Sequence, residues 1–399
     1  TVDYITRIIF GVLLIITKEH QILSALYNLR CLNFNQIYAL CFNGCSERSC
    51  TNQLSKMVSA KLISKSGYHR DTAYYILCKK GIDYLREKGV VPLDCNKHGI
   101  IYADSILSAG KVALKPQIVA HQLALNQFVM DFMNCYPDIV FDYYDEKYIS
   151  KIFSQIRPDG IIKTSHCLYF LEMDMNTERE ARLLQKWESY HAFLSSSEYY
   201  ENKLPIKVLF ILGNISDKSG RKYALREYID RNLRGEISDE FNLFVGTPED
   251  LLKIFSSEES PLPKIFRKKG FSVKERGRLS DDLPEFDYVI THDALSFAVI
   301  DYTDESMLDY KNIVFYPKYS ALYNENLRYL VVAKSEAEAY RLQQQTLNSS
   351  GIYFSTVKRL NDYTFPSALF QFGDKTLYHF GDAEFLIKKQ EAYIQTLFQ

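Results

Sequence analysis

Apolar residues between positions 18 and 91 recur first at helical and then at strand spacing. Ile22, Leu23, Leu26 and Leu29 form one helical stripe, and Ile37, Leu40 and Cys41 form a second, shorter one. Asn43-Gly44 breaks the pattern, after which Ser46 or Ser49 caps a third helix running to about Ala60, with Leu54, Met57 and Val58 on its apolar side. Leu62-Ile63 and Tyr74-Tyr75-Ile76-Leu77 predict two strands around Ser66-Gly67, and a last helix spans 82–88. Residues 116–136 then carry Ile118, Leu123, Leu125, Phe128, Val129 and Phe132 at helical spacing. Strand-like runs follow at 139–144, 152–164 and 168–175. A helix at 177–193, with acid in its first turn, leads to a buried strand at 206–212.

The remaining pattern is also mixed. It predicts a helix at 220–234, a strand at 241–245 and a helix opened by Thr247-Pro248, with proline at its first position. A strand at 329–333, a helix at 335–347 and a strand at 352–357 form a βαβ unit, which implies parallel strands. The fold class is α/β (α+β overall). A chain of 399 residues exceeds one core, and the predicted division is 1–95, 110–260 and 280–399. Composition marks the last boundary: residues 264–278 hold seven basic residues and one acid, whereas 281–309 hold nine acids and no Lys or Arg. The basic stretch is either a solvated linker or a strap for phosphates.

The formal net charge of -1 excludes a polycation that coats nucleic acid along its length, so any such affinity is local. Residues 18–91 supply a local excess, eleven Lys or Arg against five Asp or Glu. Arg48, Thr51, Asn52, Gln53 and Lys56 share the polar side of the third helix, and they are side chains suited to base edges and phosphates. Lys65, His69 and Arg70 stand near the tip of the two-strand hairpin. The arrangement resembles a winged helix-turn-helix, which implies double-stranded DNA as partner; a protein-contact module is the other reading. A homodimer would suit a palindromic target. The apolar run 8–16 is too short to span a bilayer. Cys31, Cys41, Cys45 and Cys50 lack a CxxC spacing and read as free thiols of a cytoplasmic, bacterial protein.

The strongest chemical feature lies between 157 and 190. Asp159 closes one strand within Arg-Pro-Asp-Gly, and Glu172 and Asp174 alternate on the next, LYFLEMD. Three carboxylates converging on a point call for a divalent cation, Mg²⁺ or Mn²⁺. The helix, three strands, helix, strand order around Asp159 and Glu172 resembles the PD-(D/E)XK nuclease superfamily. That resemblance implies metal ligation by the first Asp and the Glu, with a Lys two residues after the Glu. Here that position is Asp174. Asp174 is then either a further ligand, or the positive charge comes from Arg179, Arg182 or Lys186, which share a helical face flanked by Gln185 and Tyr190. His121, on the preceding helix, reads as either a partly buried core histidine or a site group.

The longer match, a helical segment ending in YYILCKKGIDYL, a helix with His121, then PDG, LEMDMNTERE and KWESY, resembles the replication-relaxation family. It implies a DNA-binding protein of a plasmid or other mobile element. The expected chemistry is metal-dependent DNA nicking at Asp159, Glu172, Asp174 and Lys186. The alternative is a non-catalytic replication initiator or regulator with a degenerate nuclease fold.

Overall fold

The computed structural model describes residues 17–67, 73–88, 114–146, 149, 152–175, 180–213, 218–256, 259–277, 286–293, 295–319, 327–346, 352–372, 377–380 and 387–390. His69, Arg70, Arg179 and the apolar run 8–16 lie outside the described residues. The chain forms two compact units, 1–225 with 246–255, and 226–245 with 256–399. The first unit thus holds both the N-terminal helices and the carboxylate-bearing strands, regions that the sequence pattern divides.

In the first unit, α1 (Lys18–Leu29), α2 (Phe34–Cys41) and α3 (Glu47–Ser59) each begin on a side-chain cap, from Thr17, Asn33 and Ser46. Asn33 and Gln36 form a reciprocal capping box. Strands β1 (Cys31–Asn33), β2 (Ile63–Ser66) and β3 (Tyr74–Leu77) pair antiparallel in the order β1-β3-β2, and α4 (Lys79–Glu87) follows. Ile22, Leu26, Ile37, Leu54, Met57 and Leu85 meet in one core. Cys31, Cys41 and Cys50 are buried free thiols, and burial pushes Cys41 up to about 12.

A long helix, α5 (Val119–Cys135), leads into β4 (Asp142–Asp145), β5 (Gly160–Lys163) and β6 (Leu168–Asp174). These strands are successively antiparallel. Helix α6 (Glu180–Leu194) then crosses to β7 (Ile206–Leu212), which runs parallel to β6. All seven residues of β6 are buried, as a strand covered on both faces requires. Phe153 packs edge to face on Phe170 and on Phe193, which are tilted against each other, and Trp187 lies against Phe210. Helix α7 (Lys218–Leu233) and β8 (Phe241–Gly246) complete this stretch of chain.

The second unit contains α8 (Leu262–Lys268), β9 (Ser272–Gly277), β10 (Phe286–His292), β11 (Leu295–Tyr302), α9 (Met307–Tyr319), β12 (Leu327–Ala333), α10 (Glu336–Gln345) and β13 (Ile352–Thr356). The last two strands run parallel, as the βαβ pattern predicts. Strands at Phe370–Phe372, Leu377–Phe380 and Ile387–Gln390 extend the sheet antiparallel. Lys264, Arg267, Lys268 and Lys274 of the basic stretch are exposed.

The N-terminal helices and α5 are tied by polar groups that the chain buries deliberately. Arg30 takes a left-handed backbone, φ 66°, which costs a non-glycine residue about 1–3 kcal/mol. Asn126, fully buried, donates through Nδ2 to the carbonyls on either side of it, Leu29 O at 2.9 Å and Cys31 O at 2.7 Å. Arg30 itself reaches Glu146 at 3.0 Å, and Gln36 donates to Leu123 O at 2.8 Å. Replacing Asn126 with Ala leaves two carbonyls buried beside a strained turn. Urea unfolding of Asn126→Ala should report a loss of about 2–4 kcal/mol, since each orphaned group costs about 1–3 kcal/mol; a change within 0.5 kcal/mol would refute the clamp.

Candidate active site

The site grows from the β5–β6 hairpin. Asp159 immediately precedes β5, where its backbone N–H donates to Leu171 O at 2.9 Å. Its Oδ2 accepts the N–H of Met173 at 2.8 Å, which fixes the carboxylate across the strand pair next to Glu172. At Gly160 a Cβ would stand 3.1 Å from both Cε2 and the hydroxyl of Tyr143 on β4, so any larger residue would have to displace that ring by a few tenths of an ångström.

Each carboxylate receives partners from a different helix. His121 of α5 lies with Nε2 3.1 Å from Asp159 Oδ2. Lys186 of α6 donates to Glu172 Oε2 at 2.9 Å, and Tyr190, one turn on, donates to Oε1 at 2.7 Å. Arg221 of α7 grips Asp174 with two bonds, Nε to Oδ2 at 2.6 Å and Nη2 to Oδ1 at 3.2 Å. The structure thus brings together Asp159, Glu172 and Lys186, with His121 and Tyr190, and takes Asp174 to Arg221. The expected convergence of three carboxylates is replaced by a pair: among the described residues no group of three His, Cys, Asp or Glu stands ready to hold a metal ion. Asp174 and Glu172 alternate as a strand dictates, but the bidentate guanidinium claims Asp174.

The electrostatics follow from burial in an apolar sheet. Burial, reinforced by the charge of Asp159, pushes Glu172 up to about 7 against the opposing pull of Lys186 and Tyr190. Burial acts the same way on Asp159, but His121, Lys186 and the Met173 amide outweigh it and hold the carboxyl below its ordinary value. Burial lowers His121, and the bond and charge of Asp159 more than offset this, so its affinity for a proton is raised. Tyr190 is fully buried, and burial together with Glu172 lifts its phenol well above the ordinary range. Its hydroxyl is committed to Glu172, which makes Tyr190 a positioning residue for that carboxylate and not an accessible nucleophile.

Arg182 and Gln185 of α6 are exposed. Earlier in the chain, Arg48, Thr51, Asn52 and Lys56 are exposed on α3, Gln53 is half-buried, and Lys65 is exposed on β2. Thr51 returns its hydroxyl to Glu47 O at 3.0 Å. Sequence reasoning missed Arg221, whose partner lies 47 residues away; the basic opening of α7 was its only local trace.

The raised Glu172 has a consequence for stability. Its folded value, about 7, exceeds its ordinary 4.5, so the folded state keeps a proton that the unfolded chain releases in that window. Stability from this group is complete at low pH and falls as pH rises from 4.5 to 7, by about 3 kcal/mol. Urea unfolding at pH 5 and pH 7.5 should show a larger decline for the wild type than for Glu172→Gln. Equal slopes would contradict the assignment.

None of the curated proteins matches the chain. The family model described as replication-relaxation matches residues 23–206, which run from α1 to the start of β7 and include Asp159, Glu172 and Lys186, so over this span the chain is similar to replication-relaxation proteins.

Proposed function

We propose that this is a DNA-processing protein of a plasmid or similar mobile element, which nicks duplex DNA with the help of a divalent cation. One observation carries the reading: a half-buried Asp159 and a buried Glu172 side by side on a hairpin, with Lys186 held against the glutamate. A lysine reaching Glu172 from α6 compensates for the Asp at position 174, where the nuclease pattern has Lys. The similarity to replication-relaxation proteins over 23–206 supports the biological setting.

The donor set fits a cation of the Mg²⁺ or Mn²⁺ class. Such ions use one or two carboxylates, with waters and substrate phosphate completing the shell. Burial, with a smaller contribution from Asp159, pushes Glu172 up to about 7 against the pull of Lys186 and Tyr190, and a bound cation would favour its charged form. Asp159 and Glu172 would hold the ion, which when bound supplies charge neutralisation and a more acidic water. Lys186 offers its ammonium to charge developing on the scissile phosphate. His121, hydrogen-bonded to Asp159, holds a proton at Nε2 beside the same point. Tyr190 fixes the rotamer of Glu172. The α-β-α-α-β-β order of α1 to β3 is that of a winged helix, and the exposed Arg48, Asn52 and Lys56 of α3 suit a major groove.

A second reading is a DNA-binding initiator or regulator that does not cut. It is favoured by the way the protein's own cations already match its carboxylates, Lys186 to Glu172 and Arg221 to Asp174.

Supercoiled plasmid DNA incubated with Mg²⁺, Mn²⁺ or EDTA separates the two. Nicking that needs the metal and drops at least a hundredfold in Asp159→Asn and in Glu172→Ala is expected. Binding without nicking in every condition would transfer belief to the second reading. Arg48→Ala with Lys56→Ala should weaken duplex binding and shrink the slope of log K against log salt by about 2. An unchanged slope would remove α3 from the interface.

A further inference from the structure

The second unit repeats the order of elements that builds the carboxylate pair. The series α5, β4, β5, β6, α6, β7 is matched by α8, β9, β10, β11, α9, β12, the first differing by a short extra helix at Ser197–Glu201 before β7. In both, successive strands pair antiparallel, antiparallel and then parallel. The central hairpins also share a register. Gly160 faces Leu171 and Lys163 faces Leu168; Tyr288 faces Val299 and Thr291 faces Ser296. Asp159 stands one residue before Gly160, and Asp287 one before Tyr288. Each aspartate accepts, through Oδ2, a backbone N–H fourteen residues further on, from Met173 at 2.8 Å and from Asp301 at 2.7 Å. Topology alone recurs in unrelated proteins. The same register with the same side-chain-to-backbone bond is a correspondence between residues.

That correspondence exposes what differs. Opposite Asp159 stands Glu172; opposite Asp287, at the equivalent place, stands Ile300, fully buried. The carboxylates of the first hairpin meet cationic side chains, His121, Lys186 and Arg221. In the second unit hydroxyls fill the same need. Ser260 and Thr303 donate to Asp301, and Ser306 donates to Asp309. Burial and the nearby Asp287, Asp304 and Asp301 keep the Asp309 carboxyl well above the carboxylate range, so it favours a proton.

We propose that residues 262–333 are a duplicate of the module at 119–212 that has kept its fold and lost the carboxylate pair. One chain then carries one divalent-cation site and breaks one DNA strand per engagement. The inference rests on the proposed function for its chemistry and on the hairpin correspondence for its count.

Mn²⁺ titration of the full chain, followed by the electron-paramagnetic-resonance signal of free Mn²⁺, counts the sites directly. One Mn²⁺ per chain is expected, lost in Glu172→Gln and kept in Asp301→Asn. Should Asp301→Asn fail to fold, Asp304→Asn, at an exposed member of the same cluster, serves instead. Plasmid products should be open circles, with linear DNA arising only through independent second nicks. Two Mn²⁺ per chain, one of them lost with Asp301 or Asp304, would overturn the lapsed-copy inference while leaving the proposed function standing. No Mn²⁺ bound and no nicking would instead overturn the proposed function, and with it the count of one.

Discussion

A carboxylate buried in an apolar sheet must be matched by positive charge or by hydrogen-bond donors, or the fold loses several kcal/mol at that point. The first unit is arranged around that constraint. Glu172 and Asp174 are both buried in a strand that is otherwise apolar, and Asp159 stands at the mouth of the neighbouring strand. Their partners come from three helices separated along the chain, α5, α6 and α7. Satisfying the carboxylates therefore also fixes where those helices lie against the sheet. A site that reacts and a site that merely holds a fold together use the same ion pairs. In the proposed function, what separates them is that burial keeps Glu172 ready to take a proton even with Lys186 in place.

Helix α5 links this pair to the N-terminal helices. Its first turn carries His121 toward Asp159, and its middle carries Asn126 into the backbone around Arg30. An amide donor spent on two carbonyls beside a left-handed residue leaves little freedom for either part to shift alone. Packing reinforces the joint, since Tyr143 of β4 lies against the N-terminal core while its ring covers Gly160. In the proposed function, the face that would meet DNA and the carboxylates that would cut it belong to one body. The distance between recognised bases and the broken phosphodiester then becomes a property of the protein and not of a flexible tether.

Most elements were legible because burial writes itself into periodicity. LYFLEMD reads as a doubly covered strand, and Glu172 stands out as the polar break within it. Ser46 as a cap, the apolar stripe of α3 and the βαβ of β12, α10 and β13 follow from equally local rules. The partners of the carboxylates were legible only in part. Lys186 was found because α6 follows β6 directly and helical spacing aims one of its faces at the strand. His121 and Arg221 sit 38 and 47 residues from the groups they bind, and no local rule links them. Alternation put Asp174 beside Glu172, but it could not tell that a guanidinium from α7 would claim it.

The duplicated hairpin escaped the sequence for a related reason. Register and strand sense are backbone properties, and they survive while nearly every side chain changes. LYFLEMD and SFAVIDY share little beyond hydrophobicity, yet both hold an aspartate-to-amide bond across the same step of the ladder. Folding constrains such a hairpin only to be apolar, so drift at positions like 172 and 300 is free once nothing reacts there. A charge at either position is costly to bury, and Ile at 300 removes that cost outright. The first hairpin buries Glu172, with a lysine and a tyrosine to hold it, although an apolar residue would pack there at lower cost. Selection for a stable fold alone does not favour that choice; selection for what the carboxylate does would.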